Sequence, residues 1–353
     1  MGLTLAHVET LPSGIGTSAG MNLHDPIDES ELYSLVRRET RDADEQAACL
    51  RDWDQVYEQL TPGQFEGRFM EIWFRGIQLF REVTNRSVYE AGLMREGERV
   101  LGVPVMMQGK GYFCGRPISP DSIMTMRGGD ELDFRAPEHF DIVAVAVPES
   151  ALAQYAREIE QRDIERDLGG MSVVDADKEQ VDEFRAFLLT VLESVSRTPS
   201  MLKFPAMQKG LEHALLSSVM KVLVPGDETS RNAAPPTVRH TLVSRAQEYM
   251  RQHVDEPLTV EDLCRTLKVS RRTLQYSFQE VLQLNPVSYL RAMRLNGVRR
   301  MLKSADPARE SVQDIAARWG FWHLSHFATD YRRMFGELPS ETLRGAAHPA
   351  RSV

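Results

Sequence analysis

Two short runs of polar side chains carry the chemistry of this sequence. The first holds Arg271, Arg272, Gln275, Tyr276 and Gln279; the second holds His323, Ser325, His326, Thr329 and Arg333. Neither run is a set for making or breaking covalent bonds. Both are sets for reading a nucleic-acid duplex: arginine presents a fork to guanine, glutamine matches adenine, and small hydroxyls reach base edges or phosphates. A single such run on one helix is as often plain solvated surface. His323 and His326 form an H-x-x-H pair with no other ligand type close in sequence, so a DNA-facing or packing role outweighs zinc.

The elements that must position these side chains repeat. Thr259 is a good N-cap, and Asp262 stands at the third helical position. Val260, Leu263, Cys264 and Leu267 then fall at i, i+3, i+4 and i+7, one face of a short helix. Lys268-Val269-Ser270 turns the chain, and Ser270 caps a second helix with Leu274, Phe278 and Val281 inward. The plan recurs: Ser311 as cap, Asp314 as acid, then Val312, Ile315, Ala316 and Trp319. Gly320 ends that helix, and Leu324, Phe327, Tyr331 and Met334 line the next. A repeat of roughly fifty residues with matching caps makes two helix-turn-helix units in tandem. In each second helix, the reading residues lie opposite the apolar face.

A longer helix joins the units. Asn285 caps it and Pro286 takes its first turn. Val287, Leu290, Leu295, Val298, Met301 and Leu302 fall on one side. Arg294 interrupts that stripe, so a structural salt bridge is expected of it. Arg299, Arg300 and Lys303 fall on the polar side, as solvated surface or phosphate contacts.

The stretch from about Leu242 to Arg344 resembles the AraC/XylS group of bacterial transcription regulators. The carrying segments are RAMRL ending at Leu295, IAxxxGF starting at Ile315, and FG…PS from Phe335 to Ser340. The resemblance implies that the two recognition helices enter successive major grooves on one face of DNA, roughly 34 Å apart. It implies RNA polymerase as a further partner. Trp322-His323 sits where that family varies, which leaves the second half-site undetermined.

The whole chain of 353 residues carries a net charge of −9, but its distribution is uneven. From Thr241 to Arg344, 16 basic residues face 12 acidic ones, a net +4, which leaves −13 elsewhere. A positive C-terminal module on an acidic partner is a regulator's layout. Cys49, Cys114 and Cys264 show no paired spacing, which fits a reducing compartment. No signal peptide or membrane span reads from the sequence, so a soluble, cytoplasmic protein is expected.

Residues 1–27 read as disordered, and 28–224 as an effector-sensing and dimerisation domain. Residues 225–237 read as a linker, 238–344 as the tandem helix-turn-helix domain and 345–353 as a tail. Within the sensor, residues 65–147 alternate β-prone runs with Gly, Pro, Asn and Asp. Eight strands are expected: Phe69–Phe74, Ile77–Val83, Ser87–Gly92, Val100–Val105, Gly111–Cys114, Ile123–Arg127, Glu131–Arg135 and Ile142–Val147. Residues 148–224 are helical, with packing on the sensor and a dimer face as equal alternatives. Ala47 to Leu60 has apolar residues at helical spacing, with Trp53 as core. The fold class is α+β: an N-terminal cupin-like β-barrel or sandwich with appended helices, then an all-α domain.

Most of the chain from Trp53 to Ser340 is also similar to the ethanolamine-utilisation operon regulators, on FEGRFMEIWFRGIQLFREVTNRSVYEAGL, LGVPV and MRGGDELDFRAPEHFDIVAVAVPESAL. That similarity implies an activator responding to ethanolamine and adenosylcobalamin; the alternative is a repressor or a regulator of another small-molecule pathway, and the lesser one a β-barrel enzyme with a regulatory helical domain. A small amine needs a carboxylate and aromatic faces. Glu71, Trp73, Tyr89, Glu90 and Tyr112 lie in candidate strands and are the effector-site candidates, although core or solvent-facing roles are the commoner reading for alternating strand residues. No cofactor for chemistry and no enzyme activity are expected, since His139 is the only histidine between Phe65 and Val147. Expected partners are double-stranded DNA, RNA polymerase, a small effector and a second copy of the chain, with no membrane.

Overall fold

The computed structural model describes residues 33–160, 173–174, 176–223, 237–253, 258–321 and 323–346. The expected disordered N-terminus, nearly all of the expected linker and most of the expected tail lie outside these residues, as does Trp322.

Alternating apolar residues build the N-terminal strands: β1 (Tyr33–Thr40), β2 (Asp54–Gln59), β3 (Gly67–Phe74), β4 (Ile77–Thr84), β5 (Val88–Leu93) and β6 (Glu98–Met106). They continue as β7 (Gly111–Phe113), β8 (Arg116–Ile118), β9 (Ile123–Arg127), β10 (Glu131–Ala136), β11 (Phe140–Pro148) and β12 (Val173–Val174). A short helix, α1 (Ala43–Ala47), stands between β1 and β2. All eight expected strands form.

The strands make two sheets rather than a closed barrel. One has the order β1-β3-β4-β11-β6-β9-β12; the other has β2-β5-β10-β7-β8. β11 explains the layering. Val143, Val145 and Val147 join a core shared with helices, while Phe140 and Ala146 face the core between the sheets. A strand covered on both sides reads as a continuous apolar run.

The covering helices are α2 (Glu149–Tyr155), α3 (Lys178–Arg197) and α4 (Pro205–Leu223). Phe184, Leu188 and Leu192 of α3, with Leu215 and Val219 of α4, pack with Ile72, Leu79 and Leu101 of the larger sheet. These apolar faces therefore serve the N-terminal domain's own core.

The helix expected over Ala47 to Leu60 does not form: α1 ends at Ala47, and β2 takes Asp54–Gln59. Val56 and Tyr57 suit a strand, and the free edge of β5 accepts β2 in antiparallel register from Asp54↔Leu93 to Gln59↔Val88. Pairing in the sheet overrides a helical pattern only a few residues long. β1 was not expected either; its charged sequence suits an edge strand, and it pairs with β3 from Tyr33↔Phe74 to Thr40↔Gly67.

The C-terminal domain is helical: α5 (Val238–Gln252), α6 (Val260–Leu267), α7 (Arg271–Leu282), α8 (Pro286–Ser304), α9 (Val312–Arg318), α10 (Leu324–Phe335) and α11 (Pro339–Ala346). Two cores divide it, one around α5 to α7 and the first half of α8, the other around the rest. Among the described residues, no helix is long and apolar enough to cross a membrane.

Candidate nucleic-acid interface

The local chemistry that starts α6, α7 and α9 is in place. Asp262 N–H donates to Thr259 Oγ1 at 3.2 Å, and Thr259 N–H donates to Asp262 Oδ2 at 3.1 Å, a reciprocal capping box. Lys268 ends α6 in the left-handed conformation, φ 55°. Thr273 N–H then donates to Ser270 Oγ at 3.1 Å and opens α7. Leu274, Phe278 and Val281 are buried, and that fixes what faces outward. Arg271, Arg272, Gln275, Tyr276 and Gln279 are all exposed. The Arg272 guanidinium lies 5.2 Å from the Tyr276 ring centroid, one turn away. Arg271 is tied back to Glu261 of α6 at 3.1 Å.

The second unit follows the same build, except that α10 opens at His323 without a side-chain cap and Leu324, expected on its apolar face, is exposed at its first turn. Asp314 N–H donates to Ser311 Oγ at 3.1 Å. Gly320, at φ 77°, turns the chain. Phe327, Tyr331 and Met334 are buried under α10. His323, Ser325, His326, Thr329 and Arg333 are exposed. Thr329 Oγ1 donates to Ser325 O at 2.9 Å, and Arg333 reaches Asp330 at 3.2 Å. The His323 and His326 rings stand 6.2 Å apart, edge to face.

Comparison with known proteins places this geometry. Residues 263–345 match the family described as "Helix-turn-helix domain". A solved structure, that of a probable AraC family transcriptional regulator from Rhodopseudomonas palustris, is 36% identical; the match covers 30% of this chain and 97% of that one, with a TM-score of 0.29. The C-terminal stretch carries a helix-turn-helix domain and is similar in sequence to AraC family regulators. Two curated relatives are similar over a longer span. The "Probable thc operon regulatory protein" of Rhodococcus erythropolis is 36% identical over 160 residues, 44% of this chain and 48% of that protein. The "XylDLEGF operon transcriptional activator" of Pseudomonas putida is 29% identical over 166 residues, 47% of this chain and 50% of that protein. The chain thus spans about half the length of these curated relatives.

Within the helix-turn-helix domain, α8 sets the two units together. Gly297 faces Trp319, where an added Cβ would stand 2.0 Å from the indole Cη2. Gly297→Ala is therefore expected to displace Trp319 and lower stability by about 1–3 kcal/mol through overpacking. Urea unfolding checks this; an unchanged midpoint would show that the indole yields freely. Val287, expected in the apolar stripe, is exposed, because it falls in the first turn of α8, clear of both cores. Arg294 is half-buried beside Gly320.

The polar side of α8 is not open surface. Arg299 pairs with Asp42, which caps α1 of the N-terminal domain, and with Glu337 at 2.7 Å. Arg300 reaches Asp44 at 2.8 Å, and Lys303 reaches Asp42 at 3.0 Å and Glu45 at 3.1 Å. Strand β2 adds two further ties. Asn296 Nδ2 donates to Gln59 O at 3.0 Å while Gln59 N–H donates to Asn296 Oδ1 at 3.2 Å, and Tyr289 OH donates to Glu58 at 3.0 Å. His240 of α5 lies 2.9 Å from Asp133 of β10. The expectation that Arg299, Arg300 and Lys303 face solvent or phosphate is corrected: an acidic helix some 250 positions earlier claims them.

The effector candidates scatter. Glu71 accepts from Gln78 in the buried region under Trp53, whose indole N–H donates to the same Gln78 at 3.2 Å. Trp73 and Tyr112 are half-buried. Tyr89 points to the helix-turn-helix domain, with Arg251 5.4 Å over its ring. Glu90 alone of the five lines a cavity of about 60 Å³ between the sheets. Trp53, Tyr57, Phe80 and Glu82 line it as well, so Trp53 is wall rather than plain core. Glu82 and Tyr57 went unnoticed because strand residues that converge from two sheets share no local spacing.

Proposed function

We propose that this chain is a sequence-specific, effector-responsive regulator of transcription, an activator of a catabolic operon that acts with RNA polymerase and as a dimer. One observation carries the reading: two capped helix-turn-helix units bury matched apolar faces and present matched polar faces. The relatives bearing the names operon regulator and transcriptional activator support regulation over catalysis. The N-terminal domain serves as sensor, because its α1 and β2 grip the helix that joins the two units.

Ethanolamine with adenosylcobalamin is the first effector pair to try, from the resemblance of the sensor sequence. A cavity of about 60 Å³ accommodates a molecule of a few heavy atoms. A corrinoid does not fit it, and nothing in the proposal runs through one.

The test is fluorescence anisotropy of the full chain against DNA upstream of its own gene. It is run at two salt concentrations, with and without the effectors. Expected is preference over random DNA, with affinity that falls as salt rises because phosphate contacts release counterions. A folded protein that shows no preference for that DNA would end the regulatory reading.

A further inference from the structure

We infer that the cavity between the two sheets is a binding site for a small organic cation, held between Glu82 and Glu90. The inference deepens the sensor reading above and rests on it for its role, though not for its chemistry.

Each sheet supplies one carboxylate: Glu82 comes from β4 and Glu90 from β5. They are 5% and 6% exposed. Glu82 accepts from Gln46 Nε2 at 2.9 Å and from Tyr57 OH at 3.2 Å. Tyr57 lines the cavity together with Glu90 as well. A phenol has one proton, so it cannot donate to both carboxylates at once. Among the described residues, neither carboxylate forms an ion pair. A buried charge without a partner is costly, so the empty pair sheds charge by keeping a proton, and a bound cation restores the charged form. Burial holds both groups above the ordinary carboxylate range, and the charge of Glu82 raises Glu90 further.

The rest of the wall suits a cation with an organic body. Trp53 and Phe80 meet edge to face at 5.8 Å, and Phe113 and Phe134 meet at 5.7 Å. Aromatic faces attract an ammonium or guanidinium group, and its several N–H donors fill the acceptors that one phenol leaves open. An anion would meet two carboxylates, and a neutral apolar molecule would leave them unmatched. The same ligand would join one sheet to the other through one carboxylate on each.

The experiment uses the full chain, with calorimetric titration and thermal melting. The probes are ethanolamine, ethylammonium and guanidinium at matched ionic strength. Ethylene glycol and acetate are the neutral and anionic controls. Expected is saturable binding and a raised melting temperature with at least one cation, and neither effect with the controls. Glu90→Gln and Glu82→Gln are each expected to weaken that binding by at least about tenfold, the scale of one lost charge-assisted hydrogen bond. Unliganded, both variants should melt no lower than the parent, because each removes a buried carboxylate. Ala144→Leu, which fills the void without touching a carboxylate, should also abolish binding. No saturable cation binding, equal binding of acetate or glycol, or unchanged affinity in Glu90→Gln would each overturn the inference. DNA binding is scored separately. Specific DNA binding without cation binding removes the cavity inference alone; cation binding without specific DNA binding removes the regulatory reading alone.

Discussion

Asp42→Asn is expected to loosen the N-terminal domain from the helix-turn-helix domain. Asp42 and Arg299 have side chains only 4% and 10% exposed, and Lys303 is a second cation on the same carboxylate. Removing one member of a buried pair leaves the other uncompensated, a loss of about 3–5 kcal/mol. Arg299 keeps Glu337, so the lower end applies. In calorimetry the variant should unfold in two separated transitions, one per domain, and effector should no longer change its DNA affinity. A single transition at the parent's temperature would show that the pair contributes nothing.

Acid should do the same to the parent protein. Burial pushes the Asp42 carboxyl up, but Arg299 and Lys303 more than offset it and hold its pKa below the ordinary 3.8. The folded value is the lower one, so the stabilisation is complete above the unfolded pKa. It fades as pH falls through the folded value. Loosening between the domains is therefore expected below about pH 4, a window set by the aspartate reference value.

The other large effect is in DNA reading. Arg272→Ala or Gln275→Ala should weaken binding to the cognate site by about 1–3 kcal/mol, the worth of one good bidentate base contact. Binding to random DNA should change far less. The burial of Leu274 and Phe278 holds α7 in place, so neither exposed truncation disturbs the fold. Equal losses on cognate and random DNA, by anisotropy at one salt concentration, would reduce both side chains to phosphate contacts or plain surface.

The helix-turn-helix domain was legible because its signals are local. Thr259 with Asp262, Ser270, Asn285 and Ser311 each cap a helix within three residues of its start. The strands were legible for the same reason, since alternation is a short-range pattern. What failed was set by distant partners. Ala47 to Leu60 has a helical pattern, yet the open edge of β5 decides its conformation. Arg299, Arg300 and Lys303 look like surface until α1 is laid against them. Of the cavity, only Glu90 was among the candidates, because the other walls come from strands far apart in sequence.

Residues 42–59 face two ways. Gln46 and Tyr57 touch Glu82 in the cavity, while Asp42, Asp44, Glu45, Glu58 and Gln59 grip α8. A molecule bound in the cavity and a duplex bound on α7 and α10 would thus be joined by a single short stretch of chain. Coupling of that kind runs both ways by thermodynamic necessity. Whatever factor the small ligand applies to the affinity for DNA, operator DNA must apply to the affinity for the ligand. Cells holding many operator copies would then register the same ligand at a different concentration from cells holding one.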